Sequence, residues 1–337
     1  MIEPKLRNCI VGRAQPPNFG IWVRSRLAFW FAGVVTLLLP LSGFAQKRPK
    51  IIVVTHGEAA DPFWGVVKHG VESAAAATGS DVDYRAPETF DLAAMSQLID
   101  AAVASKPDGL IVSIPDAAAL GRSIQNAVAA HIPVISINSG WDVSRKLGCL
   151  MHIGQEEESA GKEAGERMKT MRVRSALILN QEVGNRALDQ RAKGFGEGFE
   201  GPFHKVETLT VKLDFTECRD AVLAYLQKNQ DVDGIMALGP VAAEPALKAL
   251  EAIGKLGKIK LCTFDLSPGI LEALVKKQMD FALDQQQWLQ GYLPVVFLAN
   301  YAKHGSIIRN DSISTGPSFV TPENAQQVLD LSRQGLR

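Results

Sequence analysis

The sequence has no excess of either charge: 36 Lys and Arg stand against 36 Asp and Glu. Without a net basic field there is no electrostatic footprint for nucleic acid, and no nucleic-acid partner is expected. Cysteine is scarce. The three that follow residue 45, Cys149, Cys218 and Cys262, are odd in number and widely scattered, and Cys149 and Cys262 fall in apolar, strand-like runs that suit small core residues. Phosphate-binding loops, nucleophile elbows and paired zinc-ligand motifs are missing. The run Gly196-Glu197-Gly198-Phe199-Glu200-Gly201 spells the dinucleotide fingerprint. It falls at the end of an expected helix, so its amides would not point at a phosphate, and no cofactor is expected.

Basic residues Arg24 and Arg26 precede the apolar run Leu27–Leu41, which is followed by Gly43-Phe44-Ala45. That order reads as a secretory signal cleaved after Ala45. A membrane anchor is the alternative, but the run is short of the roughly 20 residues a span needs and contains Pro40. A start near Val23 would give the signal its usual positive opening. Removing residues 1–45 takes away five basic side chains and one acidic one, leaving 31 basic against 35 acidic. No cysteine stands at Gln46 to carry a lipid.

After residue 45, β-rich runs alternate with amphipathic stretches. Ile51–Thr55, Val82–Arg85, Gly109–Ser113, Val134–Ile137 and Cys149–Ile153 read as strands, with helices over Phe63–Thr78, Leu92–Ser105 and Ala117–Ala130. The alternation then restarts. Ser175–Asn180, Val206–Val211, Gly234–Ala237, Ile259–Phe264 and Phe281–Leu283 read as strands, with helices near 187–199, 217–229, 241–253 and 269–277. A short helix is expected from Pro322. Two βαβ series predict an α/β fold of two doubly wound parallel-sheet lobes. Right-handed crossovers place each lobe's strand ends on one side, and two such edges facing each other make a cleft.

The candidate binding residues cluster at those strand ends, with Arg191 in the helix that follows the first strand of the second half. Asp61-Pro62-Phe63-Trp64 opens the first helix; Pro62 suits its first turn and Asp61 its cap, yet rings beside a strand end are also where a sugar's C–H face would stack. Ser113 ends the third strand, and Asn138 follows the fourth with the donor and acceptor that a hydroxyl-bearing ligand needs. In the second half Asn185, Arg191, Asp265 and the run Asp284-Gln285-Gln286-Gln287 occupy corresponding places. Arginine and carboxylate can each grip vicinal hydroxyls in two directions. His56, Glu58, Asp61 and His69 match no compact ligand spacing, and no metal is expected.

In these residues the chain resembles the type I periplasmic sugar-binding proteins, the ribose- and galactose-binding group that feeds ABC transporters. The resemblance spans about residues 50–320. Asp61-Pro62-Phe63-Trp64 is similar to the family's Asn-Pro-aromatic-aromatic segment, Pro133-Val134-Ile135 leads into its fourth-strand ligand loop, and Thr263-Phe264-Asp265 parallels its Gly-Phe-Asp. The resemblance implies a three-strand hinge with crossings near 154, 287 and 314. The N-terminal lobe would comprise 46–154 plus 287–313, and the C-terminal lobe 155–286 plus 314–337. It implies ligand contacts at Asp61, Phe63, Ser113, Asn138, Arg191, Asp265 and Gln286, with Thr55, His56 and Asn185 as looser candidates; Trp64 joins them from its place on the first turn.

Two positions depart from the family. Asn138-Ser139 stands where an acid or amide followed by arginine is frequent, and Gly239-Pro240 where Asn-Asp is frequent. Loss of those groups shifts specificity away from ribose, galactose and glucose, toward another pentose, a polyol or a modified sugar. The expected protein is a periplasmic, monomeric, non-enzymatic receptor that closes on a small sugar or polyol and delivers it to an ABC transporter permease. A receptor docking on a chemoreceptor or sensor kinase is the alternative. A repressor of the same fold would need a basic helix-turn-helix head where the apolar leader stands. A periplasmic carbohydrate-active enzyme would use Asp61 with Asp265 as acid and base.

Overall fold

The computed structural model describes residues 47–57 and 61–337. The expected leader, its cleavage site and Glu58 lie outside them. No helix among the described residues is long and apolar enough to cross a membrane.

Ile51-Ile52-Val53-Val54 shows how this sequence makes its fold. Side chains alternate across a strand, and here both sets are buried. Ile51 and Val53 pack with Val67 and Leu298 on one face, Ile52 and Val54 with Ile99 and Leu120 on the other. A strand apolar on both faces belongs inside a parallel sheet covered twice, and each such side chain contributes roughly 1.5–3 kcal/mol by its burial.

The first half runs Lys50–Val54 (β1), Pro62–Thr78 (α1), Asp81–Arg85 (β2), Leu92–Ala104 (α2), Gly109–Ser113 (β3), Ala117–Ala129 (α3), Val134–Ile137 (β4) and Met151–Gly154 (β5). The second runs Glu157–Thr170 (α4), Ser175–Asn180 (β6), Arg186–Phe199 (α5), Lys205–Thr210 (β7), Phe215–Lys228 (α6), Gly234–Ala237 (β8), Pro240–Ala252 (α7), Lys260–Phe264 (β9), Pro268–Val275 (α8) and Phe281–Asp284 (β10). Gln287–His304 (α9), Ser312–Ser314 (β11), Ser318–Val320 (β12) and Ala325–Ser332 (α10) follow.

One sheet has the order β11-β5-β4-β3-β1-β2 and the other β12-β10-β9-β8-β6-β7, so each strand of one lobe has a counterpart in the other. The chain passes between lobes at Gln155–Glu156, at Gln285–Gln286 and at Thr315–Pro317.

Some expectations need correction. The sheets are not wholly parallel: β12 runs antiparallel to β10, because the chain crosses from β11 into the second sheet at the edge where its parallel strands end and so runs back against them. Cys149 precedes β5 instead of lying in it, since Gly148, with φ 89°, closes a 3-10 turn that delays the strand. The last helix starts at Ala325 rather than near Pro322. Unanticipated was α9, apolar on most of its circumference and carrying Pro294. Cys149, Cys218 and Cys262 are all buried free thiols. Burial pushes Cys149 and Cys218 up to about 11 and Cys262 well above its ordinary range.

The helices entered from the hinge pack unusually close to the first helix of each lobe. A Cβ at Gly161 of α4 would stand 2.2 Å from the Arg191 carbonyl oxygen of α5, and one at Gly194 of α5 would stand 1.9 Å from that of Glu158. In the other lobe, a Cβ at Gly291 of α9 would meet the Val67 carbonyl at 2.0 Å and one at Gly70 of α1 that of Trp288 at 2.2 Å. Only glycine admits such backbone approach.

Candidate ligand-binding cleft

The carboxyl ends of the strands in both lobes border a narrow cleft. This is where open α/β sheets hold ligands. His56 beyond β1, Asp61, Phe63 and Trp64 at the start of α1, and Asn138 beyond β4 line one side. Gln181 and Glu182 beyond β6, Asn185 at the cap of α5, Arg191 within α5, Gly239 beyond β8 and Asp265 beyond β9 line the other.

Helix capping sets two of these residues. Asp61 accepts from the Phe63 amide at 2.9 Å, and Asn185 from the Ala187 amide at 3.0 Å, each satisfying an otherwise orphaned N–H. Asp61 thus caps and borders the cleft at once. Asn138 and Asp265 hold matching places after β4 and β9, and both adopt left-handed backbone, φ 59° and 64°. Such conformations cost energy for residues with a Cβ and gather at functional sites.

The strongest interactions lie in the second lobe. Arg191 is 2% exposed. Its Nε donates to Glu157 Oε2 at 2.6 Å and its Nη2 to Glu157 Oε1 at 3.0 Å, a two-pronged grip. Nη1 donates to the Leu238 carbonyl at 2.9 Å and to Asp265 Oδ2 at 3.1 Å. The guanidinium lies 4.7 Å over the Phe264 ring. Burial opposes the Arg191 charge, but the Glu157 and Asp265 carboxylates outweigh it and raise its pKa. Burial pushes Glu157 up as well, against Arg191 and the 2.8 Å bond from Gln155 Nε2. With three donors on its two oxygens, Glu157 is held as the carboxylate.

A hinge glutamine joins the two sides. Gln285 Nε2 donates to Asp265 Oδ1 at 2.6 Å, while its Oε1 accepts from Asn138 Nδ2 at 3.3 Å and from Gln290 Nε2 at 2.7 Å. Gln290 Nε2 also reaches Thr315 Oγ1 at 3.0 Å, tying in the third crossing. Across the mouth, Arg186 Nη2 donates to Asp142 Oδ2 at 2.6 Å, and the Arg186 amide to the Pro115 carbonyl at 3.0 Å.

His56 is buried beside Trp64, ring centroids 4.8 Å apart and edge to face. Its Nδ1 meets Ser113 Oγ at 2.8 Å. Burial, helped by Arg191, lowers its pKa to about 3, so the ring is neutral.

The structure therefore brings Asp61, Phe63, Trp64, Asn138, Asn185, Arg191 and Asp265 to one cleft, and His56 with them. Two others stand elsewhere. Ser113, fully buried, lies behind His56 and supports it. Gln286 turns to the hinge, where its Nε2 donates to the Thr315 carbonyl at 2.7 Å; the preceding Gln285 reaches Asp265 instead. Thr55 pairs with the Tyr84 hydroxyl at 2.9 Å. Sequence reasoning missed Glu157, Gln181 and Glu182, and from the run 284–287 it singled out Gln286 where Gln285 makes the contact. Position just past a strand end was a usable signal for Gln181 and Gln285. The two that depart from the family pattern are placed as follows: Ser139 Oγ donates to Asn138 Oδ1 at 3.0 Å, and Gly239 with Pro240 borders the cleft. No group of three or more His, Cys, Asp or Glu side chains among the described residues could hold a metal.

Two sheets of matching order, three crossings and a polar cleft between strand ends define a two-lobed binding protein. The family model for the periplasmic binding protein domain matches residues 51–306, and the chain belongs to that family. The xylose/arabinose-binding protein of Sulfolobus acidocaldarius is 25% identical over 302 residues, 84% of this chain and 74% of that protein. The D-allose-binding periplasmic protein of Escherichia coli is 22% identical over 302 residues, 84% and 93% of the two chains. Among solved structures, a carbohydrate transporter from Acidothermus cellulolyticus in complex with myo-inositol superposes with a TM-score of 0.81 at 32% identity, covering 86% of this chain and 100% of that one.

Proposed function

We propose that this protein is an exported solute-binding protein that captures a small sugar or polyol between its lobes and delivers it to an ABC transporter permease. The observation that carries this reading is the cleft itself. Asn138 and Asp265 face it from equivalent strand ends on left-handed backbone, and Gln285 of the hinge bonds to both. A ligand gripping Asn138 and Asp265 would stabilise the arrangement in which they share that glutamine, which is how binding drives hinge closure. The ring of Phe63 borders the cleft beside these polar groups, where a sugar's C–H face would meet it. Likeness to a myo-inositol-bound carbohydrate transporter and to a xylose/arabinose-binding protein supports a cyclic polyol or a pentose.

Isothermal titration against myo-inositol, D-xylose, L-arabinose, D-ribose and D-allose tests the proposal. Saturable binding of at least one is expected; binding of none would overturn it. The protein works as a monomer outside the cytoplasm, its leader cleaved after Ala45, which amino-terminal sequencing of the exported chain checks. It turns nothing over: Asp265 Oδ1 and Oδ2 are each held by a donor, so the carboxylate serves as a fixed acceptor. Asp265→Asn should weaken binding at least tenfold, and any glycosidase activity lost with it would reverse the assignment.

A further inference from the structure

We propose that Glu157, which does not reach the cleft, decides the charge class of the ligand by holding Arg191. The inference rests on the binding role proposed above. Among the described residues that line the cleft, Arg191 is the only one with a permanent positive charge. An arginine in a sugar cleft is the natural grip for a carboxylate or phosphate as much as for hydroxyls. Here four of its five N–H donors are engaged, two by Glu157, one by Asp265 and one by the Leu238 carbonyl. Arg191, Glu157 and Asp265 together carry one net negative charge, and the carboxylates of Asp61 and Glu182 also line the cleft. A sugar acid would therefore meet a neutralised guanidinium and the Asp265 carboxylate beside it, whereas a hydroxyl can donate to that fixed acceptor.

The matching place in the other lobe separates this role from a purely structural one. Counted from the helix starts, Gln287 of α9 stands where Glu157 stands in α4, and Val67 of α1 where Arg191 stands in α5. The helices of that pair approach each other just as closely at Gly70 and Gly291. Neither carboxamide atom of Gln287 has a hydrogen-bond partner among the described residues. Close packing of the hinge-entered helix thus proceeds with a neutral pair, and the buried ion pair is a feature of the lobe that carries the cleft arginine. Glu157 is a positioning residue acting through Arg191.

The test is titration calorimetry of wild type and Glu157→Gln with myo-inositol and D-xylose as neutral probes and D-glucuronate and D-galacturonate as anionic ones. Wild type should bind its better neutral probe roughly 100-fold or more tighter than either uronate, as one uncompensated like charge in contact implies. Glu157→Gln keeps the shape but frees a charge, so the ratio should narrow at least tenfold. Should that variant not fold, Glu157→Asp, whose shorter side chain breaks the two-pronged grip, should narrow it at least threefold. A ratio unmoved in the folded variant, even with lowered thermal stability, overturns the role of Glu157. So does a wild type that takes uronates as tightly as neutral probes. A wild type that binds none of the neutral probes overturns instead the reading of the cleft.

Discussion

The α4–α5 pair of one lobe and the α9–α1 pair of the other are built alike and finished differently. Both place glycine against carbonyl at matching positions, both begin at the hinge, and both end a first turn at the cleft. In one, Glu157 pairs with Arg191; in the other the corresponding positions are Gln287 and Val67. The lobes divide the cleft accordingly, with His56, Asp61, Phe63, Trp64 and Asn138 on one side and the cleft's arginine, Arg191, with Asp265 and Glu182 on the other. Glycine contact sets the helix spacing in both lobes, and the ion pair distinguishes the lobe that carries the cleft arginine.

Acid should have the largest effect, through two histidines of the first lobe. His56 and His152 are both buried there with pKa lowered to about 3 by burial. Unfolded imidazoles take protons near 6.5, so between the two values the unfolded chain binds more protons. Stability is therefore complete above about pH 6.5 and falls as pH drops, by about 3 kcal/mol per ring at roughly pH 4.5. Calorimetric melting between pH 7.5 and 4.5 checks this, and a flat profile would contradict neutral burial. Next is Arg191→Met, which leaves Glu157 and Asp265 buried without their cation. A loss of roughly 3–5 kcal/mol in urea unfolding is expected, together with loss of ligand binding.

Gly194→Ala and Gly291→Ala probe what the lobes share. Each adds a Cβ into a carbonyl oxygen and should cost roughly 1–3 kcal/mol or more. Similar losses in both lobes would uphold the common framework, and a loss in only one would break it. The smallest effect is expected for Gln287→Leu, which removes a buried carboxamide with no partner among the described residues and should be neutral or stabilising by about 1 kcal/mol.

Sequence periodicity carried most of the fold, because doubly buried strands and capped helices leave a local signature. The glutamates at 156–158 show where it stops. Glu156 caps α4 by accepting the Ser159 amide, Glu157 is buried on Arg191, and Glu158 pairs with Lys193 at the surface. Three identical neighbours acquire three environments from helical rotation alone, and no residue type tells them apart. Gln285 and Gln286 repeat the lesson at the hinge: Gln286, with φ 56°, turns the chain so that its neighbour meets Asp265. By contrast Asp61, Asn138 and Asp265 were legible, since a strand end followed by a helix start fixes where their side chains can go.

The three buried cysteines have a practical side. Thiolate is the form that alkylates, and thiols raised to about 11 or beyond inside the core stay protonated and shielded at neutral pH. The described part of the chain is thus silent toward maleimides. Val183, 67% exposed beside the cleft-lining Glu182, offers a place where a single introduced cysteine would take a fluorophore, and with it a direct optical record of the lobes closing on their ligand.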